Sequence, residues 1–398
     1  MQKFSSIFSQ LLQVFSRIEF QSAVKKHNSD YASKGFSSWG QFISLLFCQL
    51  GHAHSLREIC DGLAGCEGKL KHLGVSEPPK RSTLSYANKH RPSELYETVF
   101  WQLYAKCKGE AFKNSGGEKK FEFKNKLISL DSSTITLCLS LYDWAHYQKA
   151  KGAVKLHMLL DHEGYLPSYA VITDGKKSDI EVARTLRFEK GTVLVMDRGY
   201  NDYDWFSRLS RQGVFFVTRL KDGAAFSEVP EKARPAVGEK VLLDRIITFD
   251  NQEPDETGQK PEFRIVKAWI GEKHGAFTFL TNNTDFDATT IAAIYKERWQ
   301  IELFFKAIKQ NLKIKTFLGT SENAVLTQIW TALIVMLLLR YLQLLSKIKW
   351  SLSNLVALLR QQLFVYRDLA AWLNSPREGP PQLADMQLSF NFPYTSLY

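Results

Sequence analysis

The stretch Asp287–Leu312, DATTIAAIYKERWQIELFFKAIKQNL, contains no Pro or Gly and is rich in strong helix formers. Asp287 suits the N-cap position, so the pattern predicts one amphipathic helix of about seven turns. At ~100° per residue, Ile294, Ile301, Phe305, Ile308 and Leu312 fall in a narrow arc that predicts a core-facing seam. Tyr295, Arg298, Glu302 and Lys309 fall within roughly 60° of one another beside that seam. The polar stripe therefore lies at the rim of the core, where a carboxylate flanked by cations can face a cleft. Ordinary surface pairs, Arg298–Glu302 and Glu302–Lys306, account for the same charges at on the order of a few tenths of a kcal/mol each.

Two carboxylates upstream shift that balance. Leu127-Ile-Ser-Leu-Asp131 and Val193-Leu-Val-Met-Asp197 are short apolar strands that each end in an Asp, the position where α/β sheets gather their chemistry. Singly, each Asp is also a good turn or helix cap. With Glu302 they form an all-oxygen set able to hold two Mg²⁺ ions about 3.5–4 Å apart, with Mn²⁺ as a substitute. Asp143, Asp161, Asp174 and Asp179 lie in the same region and lack only the strand-end position.

Outward from these elements, residues 1–115 read as helices, including Phe4–Ile18, Trp39–Leu50 and a helix capped by Ser82. Lys80, Arg81, Lys89 and Arg91 beside short helices suggest a helix-turn-helix type module, with Arg81, Lys89 and Arg91 as DNA contacts; a generic helical domain explains the same pattern. Lysine-rich 116–125, with Gly116–Gly117, reads as a linker. From 126 to 320 the strands come first as a meander and then alternate with helices at Asp179–Phe188 and Tyr203–Gln212. That order predicts a mixed α/β sheet. Residues 221–280, with four prolines and short β-prone runs, predict a β-rich insertion. Residues 321–398 predict C-terminal helices at Leu326–Leu345 and Leu352–Leu373, followed by an irregular tail.

Fifty-two Lys+Arg against 41 Asp+Glu give +11, which favours a polyanion such as nucleic acid. Five cysteines at unpaired spacings suit a reducing cytoplasm, and within the group Cys48, His52, His54, Cys60 and Cys66 no C-x-x-C or H-x₃₋₅-H pair suggests zinc. The apolar run Ile329–Leu339 is about half of what a membrane span needs, so a buried helix is expected and no membrane partner.

The Asp131 strand, the run Asp197-Arg198-Gly199-Tyr200, the β-rich insertion and Tyr295-x₂-Arg298-x₃-Glu302-x₆-Lys309 together resemble a DDE transposase of a bacterial insertion sequence, in the subgroup with the Tyr-Arg-Glu-Lys signature. The resemblance covers roughly Leu127–Leu312. It implies an RNase H-like catalytic core, two divalent metals, and cut-and-paste chemistry on double-stranded DNA at the element's inverted repeats and a target. It also implies a homodimer in a synaptic complex, and a cytoplasmic, nucleoid-associated setting. Carried over, Asp131, Asp197 and Glu302 become the metal-binding catalytic triad. Tyr295, Arg298 and Lys309 become contacts to the strand near the scissile phosphate, joined by Arg198 beside the second Asp. Trp269, the one Trp of the insertion, becomes the candidate for stacking on a flipped base. A structure-specific nuclease on the same fold, or a DNA-binding regulator descended from a transposase, are the alternatives; intact carboxylates weigh against the regulator.

Overall fold

The computed structural model describes residues 5–31, 33–66, 68–114, 121–138, 140–148, 151–254, 258–272, 275–314 and 316–378. Ten strands form one mixed sheet: β1 (Leu127–Leu137), β2 (His146–Gln148), β3 (Lys151–Asp161), β4 (Leu166–Asp174), β5 (Val193–Met196), β6 (Phe215–Arg219), β7 (Phe226–Glu228), β8 (Val241–Phe249), β9 (Glu262–Gly271) and β10 (Gly275–Thr281). Their order is β2-β3-β1-β5-β6-β10-β9-β8-β7, with β4 pairing with β3. Strands β1, β5 and β6 run parallel, and every other pairing is antiparallel.

The parallel centre is buried on both faces, which is why β5 reads as an unbroken apolar run and β1 and β6 open on mostly apolar ones. On one face, Leu127, Val193, Val195 and Val217 pack with Ile291, Ile294 and Tyr295 of α9 (Ala288–Glu297). On the other, Ile128, Leu130, Leu194 and Met196 pack with Ala183 of α7 (Asp179–Thr185) and Trp205, Phe206 and Leu209 of α8 (Tyr203–Arg211). The region expected as a β-rich insertion, 221–280, supplies β7, β8, β9 and β10. Its strand β10 pairs with β6 through Phe279↔Arg219, so β7–β10 extend the same sheet.

Before the sheet come α1 (Ile7–Leu12), α2 (Arg17–Lys26), α3 (Ser38–Gly51), α4 (Leu56–Ala64), α5 (Arg81–His90) and α6 (Glu94–Asn114). The single helix expected over Phe4–Ile18 is two, because the Ser16 hydroxyl caps a new start at Glu19 N–H, and Ile18 is left 84% exposed. After α9 follow α10 (Trp299–Asn311), α11 (Glu322–Leu345), α12 (Leu352–Gln362) and α13 (Leu369–Asn374). The last two replace the one helix expected over Leu352–Leu373.

Helix α11 is long and apolar enough to cross a membrane, yet every residue from Ile329 to Leu339 is buried in protein. It packs on α3, α5 and α6, and one continuous core joins the N-terminal helices, α10–α13 and Ile135, Leu156, Met158 and Leu160 of the sheet. The boundaries expected at 115 and 320 are therefore not core boundaries. Of the expected linker, 115–120 lie outside the described residues, while Phe123 stacks on Phe286 at 4.7 Å between ring centres.

The basic residues of the expected helix-turn-helix module fall on and beside α5, where Arg81 and Lys89 are exposed. The three-residue turn Arg91–Ser93 joins α5 to α6, but α6 buries Leu95, Tyr96, Val99, Phe100 and Leu103 in the core and packs along α11.

Candidate active site

The organising helix breaks at Arg298. The Arg298 N–H donates to the Tyr295 carbonyl at 3.1 Å, and the Ile301 N–H donates to the Arg298 carbonyl at 3.3 Å, both three residues apart. Two such tightened turns interrupt the 3.6-residue period. Asp287 holds the N-cap position without a side-chain cap bond. Beyond the break, α9 lies on β5, β6, β9 and β10, whereas α10 lies on β1, α11 and α12. Glu297, 2% exposed, turns inward at the joint, with its Oε2 3.5 Å from the Tyr165 hydroxyl and 3.7 Å from His162 Nδ1.

Asp131 is not at a strand end, as expected, but in the middle of β1; it is β5 that stops, at Met196. The parallel register Leu130↔Met196 makes Asp131 and Asp197 the next pair across strands about 4.8 Å apart. Counting back by twos, Leu127, Val193 and Val195 all face α9, so both carboxylates point to the side from which α10 approaches. There Arg298 spans the gap, with Nη2 2.5 Å from Glu302 Oε1 and Nη1 4.0 Å from Asp131 Oδ2. A cleft of about 400 Å³ opens alongside, lined by Asp131, Ser132, Ser133, Glu302, Phe305, Lys306, Lys309 and Gln310.

The charges are strongly coupled. Burial pushes the Asp131 carboxyl up to about 7; the Ser132 N–H, at 2.8 Å, and Arg298 oppose this, while Glu302 and Asp197 add to it. Burial works against the Arg298 charge as well, but Tyr295, Glu302 and Asp131 outweigh it and hold the guanidinium above its usual value. Burial raises the Tyr295 hydroxyl, which lies within the field of Arg298 and Asp197. Two Arg298 atoms, Nε and Nη1, are buried without a hydrogen-bond partner. Among the described residues no three His, Cys, Asp or Glu side chains converge as a ready ligand set. The donor chemistry nonetheless fits a hard divalent ion, since the gathered groups are carboxylates and one is buried beside two like charges.

The other expected residues divide. Lys309 lies in the cleft and donates to the Thr134 carbonyl at 2.9 Å. Tyr295 is 9% exposed and packs on Phe279, so only its hydroxyl end reaches the site. Arg198 is exposed and paired with Asp222 at 2.9 Å. Trp269 is 43% exposed on β9, three strands from β5 in the sheet order. Arg81 and Lys89 are exposed on α5. Arg91 is a correction: it is 9% exposed, and its guanidinium is taken up by Asp30, Gln41, Ser33 and the Phe36 carbonyl, so it is not a surface DNA contact. Lys306 and Gln310 were missed; their spacing of four and eight from Glu302 was the available signal.

Residues 122–338 match the family described as the transposase DDE domain, a span containing Asp131, Asp197 and Glu302. The chain belongs to the DDE transposase family. Enzymes of this family use divalent metal ions. Over 343 residues this transposase is 30% identical to a Sinorhizobium fredii protein carrying the name transposase y4zB, covering 84% of this chain and 93% of that one. It is also 30% identical over 262 residues to a transposase named for insertion sequence element IS5377 of Geobacillus stearothermophilus, covering 66% and 67%. To transposase InsG for insertion sequence element IS4 of Escherichia coli it is 24% identical over 197 residues, 47% of this chain and 43% of that one. Residues 3–76 match a family described only as a domain of unknown function. Among solved structures, a piggyBac transposase synaptic complex with hairpin DNA aligns with 96% of this chain and 84% of that one, at TM-score 0.48 and 10% identity. That level of likeness fixes neither fold nor DNA geometry.

Proposed function

We propose that this transposase cuts DNA at the inverted repeats of its element and joins the freed 3′-hydroxyl to target DNA, with Asp131, Asp197 and Glu302 as the metal-holding triad. The observation that carries the reading is the placement of Asp131: a largely buried carboxyl next to Asp197 in the strand register and in the field of Glu302, with its proton affinity pushed up to about 7, is a place where a bound divalent cation would offset the crowding of like charge. Two divalent ions, Mg²⁺ by oxygen-ligand chemistry, would activate the attacking hydroxyl and stabilise the leaving oxygen. The chain's own residues bind and orient. Arg298 and Lys309, at the cleft, would grip phosphate oxygens on either side of the cut, and the Tyr295 hydroxyl would hold the strand beside Asp197. Arg81 and Lys89 would add sequence-independent affinity, Arg198 a phosphate contact, and Trp269 a stacking surface.

An RNase H-like core of the Tyr-Arg-Glu-Lys subgroup is part of the proposal. It is supported by the antiparallel run β1, β3, β4 with β5 and β6 added in parallel beside β1, and by the signature spacing on α9 and α10. A homodimer holding two element ends completes it. The test is Glu302→Gln: it is expected to bind end DNA as the unaltered protein does and to give no Mg²⁺-dependent cleavage. Full cleavage by that variant would remove Glu302 from the triad, and a lack of strand-transfer product from pre-cut ends would reduce the activity to a nuclease.

A further inference from the structure

Asp179 was one of four carboxylates that no strand end singled out, yet it is bonded to the residue next to Asp131. From Asp131 onward β1 keeps β3 on one side but has lost its parallel neighbour, because β5 ends at Met196. The strand that carries the catalytic carboxylate is thus unladdered along one edge where position matters most. Ser132 closes that edge. Its N–H donates to Asp131 Oδ1 at 2.8 Å, and its hydroxyl donates to Asp179 Oδ1 at 2.9 Å.

Asp179 is in turn fixed from β3. Lys155 Nζ donates to the same Oδ1 at 3.1 Å and to the Lys177 carbonyl at 2.9 Å. His157, directly opposite Ser132 in the register, brings Nδ1 to 3.7 Å of Asp179 Oδ1, while its Nε2 lies 2.9 Å from Thr173 Oγ1. Lys155 balances the charge of Asp179, so this carboxylate can stand behind the site without repelling Asp131 as a bare anion would.

Resting on the reading of Asp131 as a metal ligand, we propose that Asp179 is a positioning residue that holds the Asp131 carboxylate in its metal-binding orientation through Ser132. Partners of this kind, one bond behind a ligand, set ligand direction and typically govern about ten- to a hundred-fold in metal affinity or rate.

The test uses the full-length protein, Mn²⁺ titration followed by electron paramagnetic resonance, and cleavage of a duplex carrying the element's own terminal repeat. Asp179→Ala and Ser132→Ala are each expected to weaken Mn²⁺ binding and lower the cleavage kcat by about ten- to a hundred-fold, with DNA affinity and KM unchanged. The double variant should be no worse than the weaker single one, since both cut the same link, and Asp179→Asn, which keeps an acceptor, should recover part of the loss. Ser132→Ala removes one hydroxyl and carries the test if Asp179→Ala folds poorly. Independent, multiplying losses overturn the proposal. So do variants that bind Mn²⁺ and cleave normally while Asp131→Asn fails. Normal Mn²⁺ binding and cleavage by Asp131→Asn would instead overturn the triad itself.

Discussion

Two arginines with little exposed side chain, one in the helical half and one at the sheet's open end, are built in opposite ways. Arg91 has partners on both terminal nitrogens of its guanidinium: Asp30 at 3.3 Å, Gln41 Oε1 at 3.3 Å, Ser33 Oγ at 2.9 Å and the Phe36 carbonyl. Arg298 is 12% exposed at its side chain, touches Glu302 and approaches Asp131, yet leaves Nε and Nη1 without acceptors. Burying a donor unpaired costs about 1–3 kcal/mol, so the second arrangement persists only where surrounding structure or a ligand compensates. On the proposed function, the contrast is between a cation that holds the fold and one that would serve the site.

The contrast can be broken in stability first. Arg91→Ala removes the cation from Asp30 and the donor from the Gln41 amide oxygen, while Ser38 still donates to Asp30 and Ser33 to the Phe36 carbonyl, and is expected to cost about 1–3 kcal/mol in denaturant unfolding, with the cleavage rate of the folded fraction unchanged. Arg298→Gln is expected to do the reverse. Single-turnover cleavage should fall by about 10²–10³-fold while the unfolding midpoint moves little; a stability loss equal to that of Arg91→Ala would erase the distinction.

Acidity offers a finer probe of the sheet's open end. The Asp131 carboxyl binds its proton more tightly folded, at about 7, than at the ordinary 3.8, so its contribution to stability is present at low pH and is lost as pH rises between those values. Without metal, that loss should amount to roughly 2 kcal/mol once partial exposure is allowed for. Mn²⁺ affinity should rise through the same window, because the metal takes the anion, and Asp131→Asn should flatten both curves. A metal-free protein whose stability climbs from pH 4 to 7 would contradict the burial-driven shift. The smallest effects belong to the exposed cations of α5: Arg81→Ala or Lys89→Ala should each lower the salt-dependence slope of DNA binding by about one and leave cleavage of bound DNA unaltered.

Much of the site was legible because its signals are local. An apolar run closed by Asp, twice, and a polar stripe beside an apolar seam on Asp287–Leu312 each follow from side-chain periodicity within one element, and the spacing from Tyr295 to Lys309 survives the break at Arg298. The break itself was hidden, since it comes from α9 and α10 packing on different partners. Arg91 misled because a lysine- and arginine-rich helix end reads as surface, and only the approach of Asp30 and Gln41 turns it inward.

The chain by itself determined most of its element types, its excess of positive charge and the short apolar runs to which Asp131 and Asp197 are attached, because these depend on neighbours within a few residues. Tertiary structure alone decided that the N-terminal helices share a core with α11, that β10 extends the sheet from β6, and that Asp179 lies behind Asp131. Those pairings join residues dozens to hundreds of positions apart. They depend on where β5 stops and on which buried surfaces close over one another, and no local pattern encodes either.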